Sequence, residues 1–223
     1  MASKTVDFKN LFLENRTHLL SGSPGSGKTI FSIQFLLDGI AQNMNVTYIS
    51  TIERLKDIIE GLRHIGIPLQ EYVESEKFLA YTILMYKDLI ELPSKPIVDT
   101  VRELIRQHII QTCLKYSVKR LVIDTLDGLL PRTLPLETRV DICRLVMDEL
   151  KDNNITFLAT TSRLLGDLLS EYFDIHYEII TRREKNKLFK KLIVRKARWR
   201  KISTFEYNLK FIEGVGFVLT VSE

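Results

Sequence analysis

Residues 21–29 read SGSPGSGKT, and few stretches of nine residues restrict a fold so tightly. The run fits G-x-x-x-x-G-K-[ST] with Gly22, Gly27, Lys28 and Thr29. Glycines let backbone amides turn inward around phosphate oxygens, and a helix starting there aims its positive end at the same charge. Such a loop works only between a strand and a helix. Both are predicted here, a strand over 17–21 and a helix over 28–42 that begins inside the motif. The whole loop, Gly22, Ser23, Pro24, Gly25, Ser26, Gly27, Lys28 and Thr29, is therefore expected to bind nucleotide phosphates. Lys28 would reach the terminal phosphates, and the Thr29 hydroxyl would ligate Mg²⁺.

The rest of the chain supplies the alternation that such a loop requires. Strands are predicted over 46–51, 78–82, 121–124 and 155–160, and helices over 52–65, 97–116 and 137–152. Val140, Cys143, Met147 and Leu150 share one face of the last helix. Alternation of this kind implies an α/β fold, a mainly parallel sheet with helices on both faces. From about Tyr177 the pattern changes to strands over 188–195, 204–212 and 216–221 joined by short turns, an antiparallel extension of the same sheet. At 223 residues the chain is expected to form one domain over 1–223, with its basic hairpin region over about 177–223.

RLVIDT, residues 120–125, is an apolar strand ending in Asp124. A carboxylate about a hundred residues beyond the phosphate loop suits a Mg²⁺ ligand, direct or through water. No N-K-x-D guanine-reading tetrad occurs, which favours ATP over GTP. The four histidines show no ligand spacing, and Cys113 and Cys143 lie in amphipathic helical patterns as core residues. No apolar run approaches the roughly 18 residues that span a bilayer, and MASKTVDFKN lacks the layout of a signal peptide, so a cytoplasmic location is expected.

GSPGSGKTIFSIQFLLDGI, VTYISTIERLKDII, RLVIDT, FLATTSR and the basic end strands, in this order, resemble the KaiC-like ATPases of the RecA/RadA superfamily, in an archaeal single-domain form like the RadA paralogues. The resemblance covers nearly all of the chain beyond about residue 12. The loop itself is generic, and the FSIQFL continuation with the order of later segments specifies the branch. It implies a RecA-like P-loop core, ATP with Mg²⁺, and a homo-oligomer in which basic residues of one subunit reach the next subunit's nucleotide. KaiC domains carry two adjacent glutamates after the second strand, the first being the usual base for the attacking water. Here the pair is Ile52-Glu53, which leaves Glu53 as the candidate base beside Lys28 and Asp124. A helix N-terminal acid is the alternative reading of Glu53. The family's basic pair, spaced K-x-R, aligns with Val194, Arg195 and Lys196, which makes Arg195 and Lys196 candidates. Thr160, Thr161 and Arg163 match the polar strand end that senses the γ-phosphate.

Residues 182–201 hold eleven Lys and Arg against Glu184, a local charge of +10 that leaves −6 on the rest. Three readings of this segment stand side by side: a solvated hairpin, a contact to a neighbouring subunit's nucleotide, and a path for single-stranded DNA with Phe189 and Trp199 available for stacking. The leading functional expectation is slow ATP hydrolysis coupled to assembly or partner binding. Its rivals are a non-catalytic ATP-binding regulator, like the KaiC-like subunit of the archaeal motility motor, and a DNA-binding recombination mediator.

Overall fold

The computed structural model describes residues 3–75, 77–83, 97–129, 134–185, 187–201 and 203–222. Among them, ten strands form one sheet: β1 (Ser3–Val6), β2 (Thr17–Gly22), β3 (Val46–Ser50), β4 (Phe78–Thr82), β5 (Arg120–Asp124), β6 (Thr156–Thr161), β7 (Ile175–Glu184), β8 (Lys187–Ala197), β9 (Glu206–Ile212) and β10 (Gly216–Ser222). Their spatial order is β1-β10-β9-β8-β7-β2-β6-β5-β3-β4. Every pairing from β7 through β2, β6, β5 and β3 to β4 is parallel. The pairings of β7 with β8, β8 with β9, β9 with β10 and β10 with β1 are antiparallel. This is the expected α/β architecture, a mostly parallel sheet flanked by helices and extended by antiparallel C-terminal strands.

The central strands read as continuous apolar runs because helices cover both of their faces. Leu121 and Ile123 of β5 enter the core on one side, with Ile142, Cys143, Val146, Met147 and Leu150 of the helix Leu136–Asp152. Val122 enters the other core, with Phe31 and Phe35 of α1 (Lys28–Ala41) and with Ile58 and Leu62 of α2 (Leu55–His64). Burial holds both cysteines as thiols, each pushed up to about 12. Arg120 is buried at the start of β5, where it pairs with Glu14 and Asp38, each at 2.7 Å, and donates to the Phe35 carbonyl at 2.9 Å. It thereby ties β5 to α1 and to the segment before β2.

Three differences from the sequence-based expectation matter for the site. First, α2 begins at Leu55, not at residue 52. The intervening residues form a turn in which the Ser50 hydroxyl donates to the Glu53 carbonyl at 2.6 Å. Glu53 therefore precedes the helix and is not one of its first-turn acids. Second, the helix expected over 97–116 is interrupted by a π-helical stretch, Arg106–Ile110. Third, β7 starts at Ile175 and pairs in parallel with β2, so the change to antiparallel pairing falls after this strand. No helix among the described residues is long and apolar enough to cross a membrane.

Candidate nucleotide-binding site

β2 is the pivot of the sheet, with β6 on one side and β7 on the other. The chain leaves its C-terminal end at Gly22, turns through residues 23–27 and enters α1 at Lys28. The turn depends on glycine at two places. Gly27 caps the helix with φ 103°, in the left-handed region, and a Cβ there would lie 2.5 Å from the Phe217 ring. A Cβ on Gly22 would lie 2.8 Å from the Ser26 hydroxyl and 2.9 Å from the Ile179 carbonyl. The Ser26 hydroxyl is buried within the loop and has no hydrogen-bond partner among the described residues.

Above the loop opens a cavity of about 530 Å³, large enough for a nucleotide. Six loop residues line it, Gly22, Pro24, Gly25, Gly27, Lys28 and Thr29. Asp124 and Glu53 line it from the ends of β5 and β3, as do Asp127 and Ser162. The Lys28 ammonium rests on the carbonyls of Gly22 at 2.9 Å and Ser23 at 3.1 Å. Burial lowers its pKa from the ordinary lysine value, against the opposing pull of Asp124 and Asp127.

Three hydroxyls converge on the Asp124 carboxylate. Thr29 donates at 2.7 Å, buried Tyr48 of β3 donates at 2.7 Å to the same oxygen, and Thr160 of β6 donates to the other. A threonine hydroxyl and a carboxylate at this separation are the hard oxygen donors that Mg²⁺ prefers. Asp127 has a different role. It accepts from the Ser162 amide at 2.8 Å and hydroxyl at 2.6 Å, from Thr161 at 2.9 Å and from Thr125 at 2.8 Å. Burial pushes its carboxyl up, but these donors outweigh burial and hold it below the ordinary value. A carboxylate so committed fixes the end of β6, whereas Glu53 lines the cavity beside it. Ile52 lines the cavity beside it and is 59% exposed.

Thr161, Arg163, Arg195 and Lys196 are not among the lining residues. Thr161 is held by Asp127. Arg163 and Arg195 meet on Glu178, which is buried in β7; Arg163 reaches it at 2.9 Å. Lys196 donates to the carbonyls of Ser170 and Glu171, both at 2.7 Å, and Arg198 joins it on Glu171 at 3.2 Å. The K-x-R spacing is met by Lys196-Ala197-Arg198, two residues beyond the alignment with Val194, Arg195 and Lys196. Other cations of the basic segment are likewise engaged within the chain. Lys191 pairs with Glu206, and Arg200 donates to the Asn10 carbonyl at 2.8 Å. Arg182, Arg183, Lys185 and Lys187 are exposed around the β7–β8 turn. Lys190 lies in none of the expected roles. It lines the cavity, a placement that only the sheet register reveals.

Comparison with known proteins agrees with this geometry. The family model described as "ATPase: KaiC" matches residues 7–221. The circadian clock oscillator protein KaiC of Prochlorococcus marinus is 30% identical over 151 residues, covering 67% of this chain and 29% of that protein. KaiC of a Picosynechococcus strain is 32% identical over 152 residues, with 67% and 28% covered. The chain thus spans under a third of the length of the curated relatives it matches. The crystal structure of a KaiC-like protein from Pyrococcus horikoshii OT3 superposes with a TM-score of 0.75 at 21% identity, covering 93% of this chain and 91% of that one, and shows the same fold. With a phosphate loop, an acid-tipped β5 and a family match along nearly its full length, the chain belongs to the KaiC family of ATPases.

Proposed function

We propose that this protein binds Mg·ATP in the cavity above residues 22–29 and hydrolyses it slowly, so that nucleotide state sets assembly or partner binding. The observation that carries the reading is the convergence of Lys28, the Thr29–Asp124 pair and Glu53 on one cavity. The cradle fits the ligand: Gly22 and Gly27 occupy places where a Cβ would collide, and the Ser26 hydroxyl is a spare donor inside the loop. Thr29 and Asp124 would hold Mg²⁺, which neutralises phosphate charge when bound. Lys28 would exchange two neutral carbonyls for charged phosphate oxygens, a stronger partner. Glu53 would take a proton from water as the water oxygen bonds to the terminal phosphorus and the bridging P–O bond breaks, giving ADP and phosphate. Lys196, with Arg195 or Arg198, would act on the nucleotide of a neighbouring copy in a homo-oligomer, while Thr161 and Arg163 would respond to the γ-phosphate through Asp127 and Glu178.

Ile52 supports a second reading, a regulatory subunit that holds ATP without turnover, because an apolar side chain stands beside Glu53 where the family carries its first glutamate. Single-stranded DNA is a further partner this family reading allows. The exposed cations of the β7–β8 turn, with Phe189 44% exposed, support it. A turnover assay with and without single-stranded DNA separates these readings. Steady hydrolysis that falls about 10²–10⁴-fold in Glu53→Gln while ATP stays bound is the expected result. Tight ATP binding with no turnover in the unaltered protein would establish the regulator, and stimulation by DNA would add the nucleic-acid partner.

A further inference from the structure

Lys190 leaves β8 on the face that also carries Leu192 and Val194, the side of the sheet on which α1 packs. Its ammonium donates to the Ser26 carbonyl at 2.7 Å and the Gly25 carbonyl at 3.1 Å, and lies 5.7 Å from the centre of the Phe217 ring. The phosphate loop therefore has a lysine on each side. Lys28 holds the carbonyls of Gly22 and Ser23, and Lys190 holds those of Gly25 and Ser26, nearer the helix. A partner strand completes the grip. Phe217 of β10 fills the space beside Gly27, and its backbone exchanges two hydrogen bonds with the Gln34 side chain of α1, at 2.8 and 2.9 Å.

The consequence follows from peptide planarity. In a trans peptide the C=O and the next N–H point in opposite directions, so fixing the Ser26 carbonyl also fixes the Gly27 amide. Gly25 and Gly27 both have positive φ, at 72° and 103°, and glycine on either side leaves the intervening peptide planes cheap to rotate. Without an external hold, the Gly27 N–H could turn away from the cradle. With Lys190 on the Ser26 carbonyl, that N–H is held on the side of the peptide opposite the ammonium. The cation gripping the carbonyl also adds positive charge at the cavity wall.

Resting on the reading of residues 22–29 as a phosphate cradle, we infer that Lys190 is a positioning residue for bound nucleoside polyphosphates: it locks the 26–27 peptide so that the Gly27 N–H is presented to phosphate. It ties the phosphate loop to the antiparallel half of the sheet, and it acts on the phosphates and not on the base or sugar.

The test compares the unaltered protein with Lys190→Met, which keeps the apolar stem against Phe217, and with Lys190→Arg, which keeps the charge and the donors. Calorimetric titrations with ATP, ADP and adenosine are read beside the thermal unfolding transition of each protein. Lys190→Met is expected to bind ATP and ADP about tenfold more weakly, the size of one charge-assisted hydrogen bond, with adenosine binding unchanged and a single cooperative unfolding transition retained. Lys190→Arg is expected to recover most of the loss. In protein labelled with ¹⁵N-glycine, the Gly27 amide should exchange faster with solvent in Lys190→Met. That readout needs no ligand and no turnover. Unchanged ATP affinity in Lys190→Met, or an equal loss for adenosine and ATP, would overturn the assignment. Failure of the unaltered protein to bind ATP at all would instead remove the cradle on which it rests.

Discussion

Two imidazoles are buried here, His18 in β2 itself and His176 in the neighbouring β7. His18 accepts from the Leu13 amide at 3.2 Å and lies 3.3 Å from the Phe157 carbonyl, while His176 bridges Ser21 at 2.8 Å and Ser170 at 2.9 Å. Burial lowers both from 6.5 to about 4. Between those values the unfolded chain binds more protons than the folded one, so stability rises with pH through this window. It is fully present above about 6.5 and is lost as pH falls toward 4, by an amount on the order of a few kcal/mol. Urea unfolding midpoints should therefore drop between pH 7 and pH 5; a flat profile there would contradict neutral buried imidazoles. Ser21 adjoins Gly22, so protonating His176 would disturb the entry to the loop first. At this scale the sequence made the loop and Asp124 legible, because their chemistry is local in the chain. Tyr48 and Lys190 were not legible: each reaches its partner across the sheet, and only strand order and register show which way they point.

The helix Leu136–Asp152 shows how far periodicity carries. Cys143, Met147 and Leu150 were placed on one face by spacing alone and are buried together. Leu150, fully buried against the β5–β6 side of the sheet, should cost about 2–5 kcal/mol when changed to Ala, read as a lower denaturant midpoint with an unchanged slope. A loss below 1 kcal/mol would mean that this layer repacks around the gap. The helix starting at Ile97 escaped full description for a physical reason. Ile109 and Ile110 are both buried, as are the adjacent Ile142 and Cys143 of the regular helix, so apolar spacing carries no sign of a π-helical turn. The π-helical stretch Arg106–Ile110 is a change of backbone hydrogen bonding to i→i+5, which side-chain patterning does not record. The start of α2 was misjudged because the apolar spacing runs unbroken through the Ser50–Glu53 turn.

In the whole molecule, the parallel half of the sheet follows from alternating strands and helices, but the spatial order does not. Nothing in the local pattern states that β2 lies between β6 and β7, or that β1 pairs with the last strand. That last pairing has a mechanical consequence. Ser3 lies opposite Ser222 and Val6 opposite Leu219, so both ends of the described chain emerge at the same end of one antiparallel pair. A force applied between residues 3 and 222 loads the rungs of this ladder singly, like a zipper, because antiparallel hydrogen bonds run across the strands. The exposed Lys4 and Thr5 add little burial to resist it. In an optical trap, β1 should peel away at low force, before the β2–β6–β5 core yields, releasing about 3.3 Å of chain per residue on each strand. Loss of β1 and the core in one event would show that the rim is as strongly bound as the centre. If the rim does yield first, tension on the chain ends is felt by β10, whose Phe217 packs beside the phosphate loop, before it reaches β2.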